Sequence, residues 1–234
     1  MLLYIIRHGD PDYATDSLTE KGVLQAEAVG KRLFRSGIDR IFSSPMGRAK
    51  QTAEPACRLL GKECVIEPWA HEIGKKMYVD FPDGRYKPLG MVQNTYFFEN
   101  GNVDIPREKY MEVPGFSESR INEPFKRIWD GGKDFLERLG YKEENGVYRI
   151  IQPTDEKVAL FCHAAFAKGW LTQLLHIPPH IMYGGFSYTH TGVTILEFRN
   201  NKNGLTFPQC LCYSDTSHLY AEGLELMYNN HIPY

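Results

Sequence analysis

The sequence has few of the features that mark secreted, membrane-bound or nucleic-acid-binding proteins. Its five cysteines are an odd number without the spacing of a disulfide framework, which favours reduced thiols and a cytoplasmic location. No stretch reaches the roughly 18 apolar residues of a membrane span, and no basic leader precedes the first apolar segment. We therefore expect neither a membrane anchor nor a signal peptide. The net charge of −2 argues against a nucleic-acid partner.

Internal repeats, flexible linkers and zinc-type spacing of cysteine and histidine are also absent from the sequence. We therefore expect no metal and no cofactor. With 234 residues and 42 % hydrophobic content, the chain is expected to fold as one domain over residues 1–234 with a substantial core. Because the whole chain has no positive field, an anionic ligand would need a local basic pocket.

The first stretch that is informative runs from Leu2 to Gly9. Its five apolar residues predict a short strand buried on both faces, which Arg7, His8 and Gly9 end. Open α/β sheets build their sites at the carboxyl ends of strands. An arginine there offers a planar fork for phosphate, and a histidine can act as nucleophile, base or ligand. On these residues alone, a strand that merely ends in two polar side chains is an equal alternative.

Strands and helices alternate along the rest of the chain. Thr19 is expected to cap a helix through about Arg35, and Ser44 to cap a second helix in which Pro55 predicts a kink or a break. Further helices are predicted at about 124–139 and 164–175, and strands at 39–44, 64–66, 147–151, 157–163, 191–198 and 209–213. This alternation predicts an α/β three-layer sandwich, a mostly parallel sheet with helices on both faces.

Residues from about 75 to 120 lack periodicity and are rich in aromatics, among them Tyr78, Phe81, Tyr96 and Phe116. A long irregular segment inside a compact domain usually has a role, so we expect an insertion that forms a lid or a substrate wall. A small helical subdomain with its own packing is the alternative.

The carboxyl ends of the predicted parallel strands would gather five polar residues at one edge of the sheet. They are Arg7, His8, Arg48, Glu72 and His163. Two arginines and two histidines make a pocket for a polyanion, with one acid beside it. This set fits phosphoryl transfer through a histidine: a neutral imidazole attacks phosphorus, the cations hold the equatorial oxygens, and the acid protonates the leaving oxygen and then activates water.

Seven stretches of the chain resemble, in order, those of the histidine phosphatase superfamily, which includes the cofactor-dependent phosphoglycerate mutases. The most specific are LYIIRHG at 3–9 and SSPMGRAKQTA at 43–53; the others lie at 18–26, 71–73, 114–119, 161–165 and 215–219. The resemblance implies a phosphoglycerate mutase-like fold. It implies that His8 is the nucleophile that accepts the phosphoryl group and that Glu72 is the proton donor. Arg7, Arg48 and His163 would bind the phosphoryl group.

The sequence departs from the family's pattern beside this pocket. Ala164 and Ala165 stand where the family usually has two glycines, and a Gly-Lys-Lys-Met stretch follows Glu72 where the family often has Gly-Trp-Glu-Gly. His190 stands where an asparagine is frequent, and we interpret it as a pocket-edge or structural group. Asp10 and His190 are the candidates for substrate binding outside the phosphoryl site.

The leading hypothesis for function is a phosphomonoesterase acting on a small phosphorylated metabolite. The short first loop at 10–13 lacks the serine, asparagine and Gly-Trp segment that mutases carry there. A phosphoglycerate mutase and a non-catalytic relative that retains phosphate binding are the alternatives. A homodimer is left open.

We further expect His8 to be exposed at the sheet rim, so that its removal leaves no cavity.

Overall fold

Apolar strands and amphipathic helices alternate along the chain in the computed structural model, which describes residues 1–80, 86–89, 94–98 and 103–226. The strands are β1 (Leu2–Arg7), β2 (Pro11–Asp12), β3 (Ser17–Leu18), β4 (Arg40–Ser43), β5 (Cys64–Ile66), β6 (Tyr78–Asp80), β7 (Tyr86–Pro88), β8 (Tyr141–Glu144), β9 (Val147–Ile150), β10 (Lys157–Cys162), β11 (Val193–Glu197), β12 (Leu205–Thr206) and β13 (Gln209–Asp215). The helices are α1 (Glu20–Ser36), α2 (Gly47–Leu60), α3 (Asn94–Phe98), α4 (Asn122–Arg138), α5 (Ala164–Leu174), α6 (Pro179–Gly185) and α7 (Ser217–Ala221).

The central sheet has the strand order β13-β11-β1-β10-β4-β5. Strands β1, β10, β4 and β5 pair in parallel, and β11 joins β1 in the antiparallel direction. Arg7 pairs with Cys162 in the register of β1 and β10, so the residues that follow these two strands lie side by side at the same edge. The predicted fold class, α/β around a mostly parallel sheet, is confirmed.

The alternation of side chains along β1 divides the core between the two faces of the sheet. Tyr4 and Ile6 pack in one buried cluster with residues of α1 and α2, while Leu3 and Ile5 pack in the other with residues of α4 and α5. A strand covered on both faces has to be apolar throughout, which explains the uninterrupted run at the start of the sequence.

The first predicted helix has the expected ends, whereas the second does not begin where the sequence suggested. The Thr19 hydroxyl oxygen accepts a hydrogen bond from the Gly22 amide at 3.0 Å, as a helix cap should. Ser44 does not cap α2, which begins at Gly47. The reason is that Ser44 still continues the strand pairing, since its amide donates to the Phe161 carbonyl at 2.8 Å. The helix is capped from another loop, because the Asp16 carboxylate accepts from the Gly47 amide at 2.7 Å.

The break predicted at Pro55 is wrong, because α2 continues through this residue to Leu60. Pro55 packs against Gly30 of α1, so closely that a Cβ at position 30 would lie 2.8 Å from the Pro55 Cβ. The contact between the two helices keeps the helical path despite the missing amide donor.

The described parts of the aromatic segment at 75–120 belong to the main core. Val79, Phe97, Tyr110 and Phe116 are buried in the same cluster as the side chains of β1 that face α4 and α5. Residues 81–85, 90–93 and 99–102 lie outside the described residues, Phe81 among them. The lid or substrate wall therefore remains a prediction.

Two glycines in the middle of α4 make room for two tryptophans. A Cβ at Gly131 would lie 2.6 Å from the Trp69 Cβ, and one at Gly132 would lie 2.3 Å from the Trp170 indole nitrogen. The atoms in contact belong to the rigid side chains of two tryptophans, so the contacts cannot be relieved by moving the end of a flexible side chain. Glycine lowers the intrinsic helix propensity at these two positions, but it allows both indole rings to pack against α4.

We expect Gly131→Ala to destabilise the protein, although alanine favours helices by about 1 kcal/mol over glycine. The added methyl group has to push Trp69 out of place, and overpacking of this kind costs about 1–3 kcal/mol. Gly185→Ala is the matched control, since a Cβ at that position meets no atom within 4 Å. Urea unfolding measures both; equal free energies of unfolding in the two variants would contradict the packing argument.

Candidate active site

His8 follows β1 directly and lies at the carboxyl edge of the sheet. Its amide donates to the Cys162 carbonyl at 2.9 Å, so the backbone is still held by β10. Its Nδ1 lies 2.7 Å from the Gly9 carbonyl oxygen. A carbonyl can only accept, which assigns the ring proton to Nδ1 and leaves Nε2 with a free lone pair. The expected exposure is wrong: His8 is 2 % exposed, because neighbouring strand ends and loops close around it.

His163 follows β10 and lies beside His8, with the two ring centroids 5.2 Å apart. The Ser44 hydroxyl oxygen accepts from the Met46 amide at 3.3 Å and lies 2.7 Å from the His163 Nε2. Among the described residues, Nε2 is the one acceptor in contact with the Ser44 hydroxyl proton, which favours the tautomer with the His163 ring proton on Nδ1. This Nδ1 is buried without a hydrogen-bond partner among the described residues, and it is free to donate to a ligand oxygen.

Arg7 and Arg48 are buried in the same place, with exposed fractions of 4 % and 5 %. Arg7 donates to the Tyr188 carbonyl at 2.5 Å, and Arg48 forms an ion pair with Asp16. The Nε atoms of both arginines are buried and find no partner in the described part of the chain. Buried guanidinium nitrogens without partners are costly, so this arrangement favours an oxyanion as the missing acceptor.

Burial and the two arginines determine the charge of the histidines. Desolvation, followed by the charge of Arg7, holds the pKa of His8 well below its ordinary value. Desolvation and then Arg48 and Arg7 do the same to the pKa of His163. Burial also lowers the pKa of Arg7, from an ordinary value so high that the guanidinium stays charged at neutral pH. The site therefore holds neutral imidazoles among permanent positive charges.

Glu72 lies at the N-terminus of α5. Its Oε1 accepts from the amides of Ile73 and Phe166, both at 2.9 Å, and its Oε2 accepts from the Ala165 amide at 3.3 Å. The start of a helix presents unpaired amides and a positive dipole end, which explains why a carboxyl group docks there. Because α5 follows His163, the same turn positions both Glu72 and the second histidine.

His190 and Asp10 line the same pocket. The His190 ring centroid is 5.6 Å from that of His8, and its Nδ1 lies 3.4 Å from the Asp10 carboxylate. Desolvation and then Arg7 lower the pKa of His190 to about 2, so this contact joins a neutral ring to a carboxylate and is not an ion pair. Asp10 also accepts from the Thr19 hydroxyl at 2.7 Å. The seven residues singled out in the sequence thus lie close together at the carboxyl edge of the sheet.

Several residues of this pocket have no counterpart in the prediction. Ser44 contacts His163, although the sequence suggests a helix cap. Its position at the end of a strand was the one feature of the sequence that could have indicated a place in the site. Thr52 accepts from the Gly9 amide at 3.0 Å. Asp16 and Tyr13, whose ring lies 5.5 Å from the Arg48 guanidinium carbon, come from a loop that only the fold brings to the arginine.

Within the described residues, no group of three histidine, cysteine or acidic side chains is placed to hold a metal ion. Nor does any helix of that part of the chain have the length and apolar character to cross a bilayer.

The low pKa of both histidines predicts how stability depends on pH. At a pH between the native pKa of each ring and the ordinary value of 6.5, the two histidines are protonated in the unfolded chain but neutral in the native protein. The free energy of unfolding therefore falls as the pH drops below 6.5, by up to about 1.4 kcal/mol per pH unit for each ring. Histidine ring NMR at pH 6 should show His8 and His163 neutral. Titration of either ring near pH 6.5 would contradict this account.

A family model and several relatives match the chain. The model of the histidine phosphatase superfamily, branch 1, matches residues 3–76. The probable phosphoglycerate mutase GpmB of Photorhabdus laumondii is 34 % identical over 80 residues, 30 % of this chain and 37 % of that protein, so the chain aligns with little more than a third of that relative. The protein of the same name in Yersinia pestis (strain Pestoides F) is 35 % identical over 188 residues, 76 % of each chain.

Two solved structures have a similar fold. A mutant phosphoserine phosphatase of Entamoeba histolytica in complex with phosphoserine has a TM-score of 0.60 and 24 % identity, with 93 % of this chain and 98 % of that chain covered. Mycobacterial glucosyl-3-phosphoglycerate phosphatase in complex with VO3 has a TM-score of 0.57 and 18 % identity, with 91 % and 98 % covered.

Proposed function

The chain belongs to the histidine phosphatase superfamily, and from this premise we propose that it is a phosphomonoesterase that hydrolyses a small phosphorylated metabolite through a phosphohistidine on His8. The observation that carries the proposal is the pair of neutral rings, His8 and His163, 5.2 Å apart beside two buried arginines. A neutral imidazole with a free lone pair is what nucleophilic attack on phosphorus needs. Fixed positive charge stabilises the oxygens where charge is spread in the transition state.

In the first step, Nε2 of His8 forms a bond to phosphorus while the bond from phosphorus to the leaving oxygen breaks. The proton stays on Nδ1 of His8, which donates it in a hydrogen bond to the Gly9 carbonyl oxygen, and this bond fixes the ring plane. Arg7, Arg48 and the Nδ1–H of His163 bind the phosphoryl oxygens. Glu72 gives a proton to the leaving oxygen, so the product departs as a neutral alcohol.

In the second step, a water molecule attacks the phosphohistidine and the phosphorus–nitrogen bond breaks. The Glu72 carboxylate takes the proton of that water, which returns it to the protonated form. Inorganic phosphate leaves, and His8 regains its free lone pair. Each step exchanges one bond to phosphorus and one proton, so the cycle balances with water as the only co-reactant.

A phosphoglycerate mutase is the second candidate, because the Yersinia pestis relative carries that name. A panel of phosphoserine, 3-phosphoglycerate and 4-nitrophenyl phosphate separates the two. Release of inorganic phosphate without a bisphosphoglycerate primer supports the phosphatase. Isomerisation of 3-phosphoglycerate that requires the primer and releases no phosphate would overturn it. Phosphate binding without any turnover would favour the non-catalytic alternative.

We also propose that the segment at 75–120 forms a wall of the substrate pocket. Phe116 packs edge-on against Tyr183 with ring centroids 5.7 Å apart, and the Tyr183 hydroxyl donates to the Ala165 carbonyl at 2.7 Å. This contact joins the segment to the first turn of α5, where Glu72 docks. Deleting the segment would expose the core that Phe116 helps to fill, so substitutions of its exposed side chains are the appropriate test of substrate choice.

Metal independence and a cytoplasmic location complete the proposal. Arg7 and Arg48 supply the positive charge that a metal ion would otherwise bring to the phosphoryl group. The five cysteines form no disulfide, which supports a reducing compartment. Activity that EDTA removes and one divalent ion restores would contradict metal independence.

A further inference from the structure

Lys168 lies on α5, one turn after the helix begins. Ala164 and Lys168 are half-buried whereas the other residues of this helix are buried, and their spacing of four residues places them on the same face. Helical side chains lean toward the N-terminus of their helix. Lys168 therefore leans toward the turn that follows His163, whose amides hold the carboxyl group of Glu72.

The Lys168 ammonium lies near an aromatic ring, and no carboxylate of the described residues is within ion-pair distance of it. Its Nζ lies 5.4 Å from the Tyr183 ring centroid, and it makes no hydrogen bond or ion pair with the residues that the structure describes. By contrast, Arg48 pairs with Asp16, and Arg127 donates to the carbonyls of Trp69 and His71. An ammonium group has three N–H donors, and the face of an aromatic ring is a weaker acceptor for them than an oxygen atom.

The charges of two candidate-site residues act on Lys168. Desolvation lowers its pKa to about 8, with Arg7 adding to that effect and Glu72 opposing it. The residue is half-buried, so part of it still contacts solvent. At neutral pH the group is mainly charged, and a partly desolvated charge without a partner is costly. An anionic ligand would remove that cost.

We propose that Lys168 binds a second anionic group of the substrate, a carboxylate or a further phosphate carried by the leaving group. The inference rests on the proposed function. The transferred phosphoryl group is already supplied with donors by Arg7, Arg48 and His163. The leaving oxygen has to lie beside Glu72 to receive its proton, so the atoms attached to that oxygen extend along the first turn of α5, toward Lys168.

Three phosphonates with matched three-carbon chains test this inference by binding alone. They are propylphosphonate, 3-phosphonopropionate and propane-1,3-diphosphonate, and titration calorimetry measures each dissociation constant. We expect the wild type to bind at least one of the two ligands that carry a second anionic group about tenfold or more tighter than propylphosphonate. A hydrogen bond between charged groups contributes about that much to affinity. The tighter of the two identifies the second group as carboxylate or phosphate.

Lys168→Met keeps the apolar stem against Tyr183 and should remove the preference, whereas Lys168→Arg should retain it. Lys126→Met, on the exposed face of α4, is the control and should bind as the wild type does. A preference that survives in Lys168→Met, or a wild type without preference, would overturn the inference. The readout does not depend on turnover, so an inactive wild type would count against the proposed function alone.

Discussion

Replacement of His8 by alanine is expected to reduce turnover by about 10³- to 10⁶-fold, the range seen when a catalytic nucleophile is removed. No other described side chain is held next to His163 with a free ring nitrogen and a fixed tautomer. Because His8 is buried, alanine leaves a space, and the loss of activity must be separated from a loss of fold.

His8→Asn makes that separation. Its side-chain amide can still donate to the Gly9 carbonyl, but it has no nucleophilic nitrogen. We expect this variant to be as inactive as His8→Ala while its unfolding midpoint stays closer to that of the wild type. The control is His176→Asn, at an exposed position where a positive φ suits asparagine. Near-normal turnover in either His8 variant would exclude His8 as the nucleophile.

Glu72→Gln is expected to have the second largest effect, and the effect should depend on the leaving group. General acid catalysis contributes about 10²- to 10⁴-fold, and it is needed most when the departing oxygen is strongly basic. The glutamine carbonyl can still accept from Ile73 and Phe166, so the first turn of α5 should remain in place.

Steady-state rates with an alkyl phosphate and with 4-nitrophenyl phosphate measure this dependence. We expect a loss of about 10²-fold or more in kcat/KM for the alkyl phosphate and a much smaller loss in kcat/KM for the nitrophenyl ester, because kcat/KM reports the first step and the nitrophenyl leaving group needs no proton. Glu63→Gln, at an exposed position after α2, is the matched control. Equal losses on both substrates would assign Glu72 a structural role at the helix start.

The parts of the fold that follow from local patterns were predicted from the sequence. β1 and β10 are apolar runs buried on both faces, and both end where the sequence suggested. The start of α1 after Thr19 follows from the preference of threonine for the cap position, and the helix ends at Ser36, one residue beyond the predicted Arg35. These features depend on neighbours in sequence, which is why they could be inferred without the fold.

The features that the sequence did not reveal depend on contacts between distant residues. The ion pair of Arg48 with Asp16 joins α2 to a loop 32 residues earlier, and nothing in that polar loop indicates the pairing. Ser44 looks like a cap because its residue type suits one, but strand pairing with Phe161 decides its role. Tertiary contacts overrode local preference in both cases, and both lie at the candidate site.

The account depends most on one chemical species, a phosphoryl group attached to Nε2 of His8. Rapid quenching of the wild type with a ³²P-labelled phosphomonoester, followed by peptide mapping, detects it directly. The account predicts a labelled enzyme that is stable in base and labile in acid, with the label on His8 and none in His8→Asn. Turnover with no labelled protein, or a label on any other residue, would contradict it.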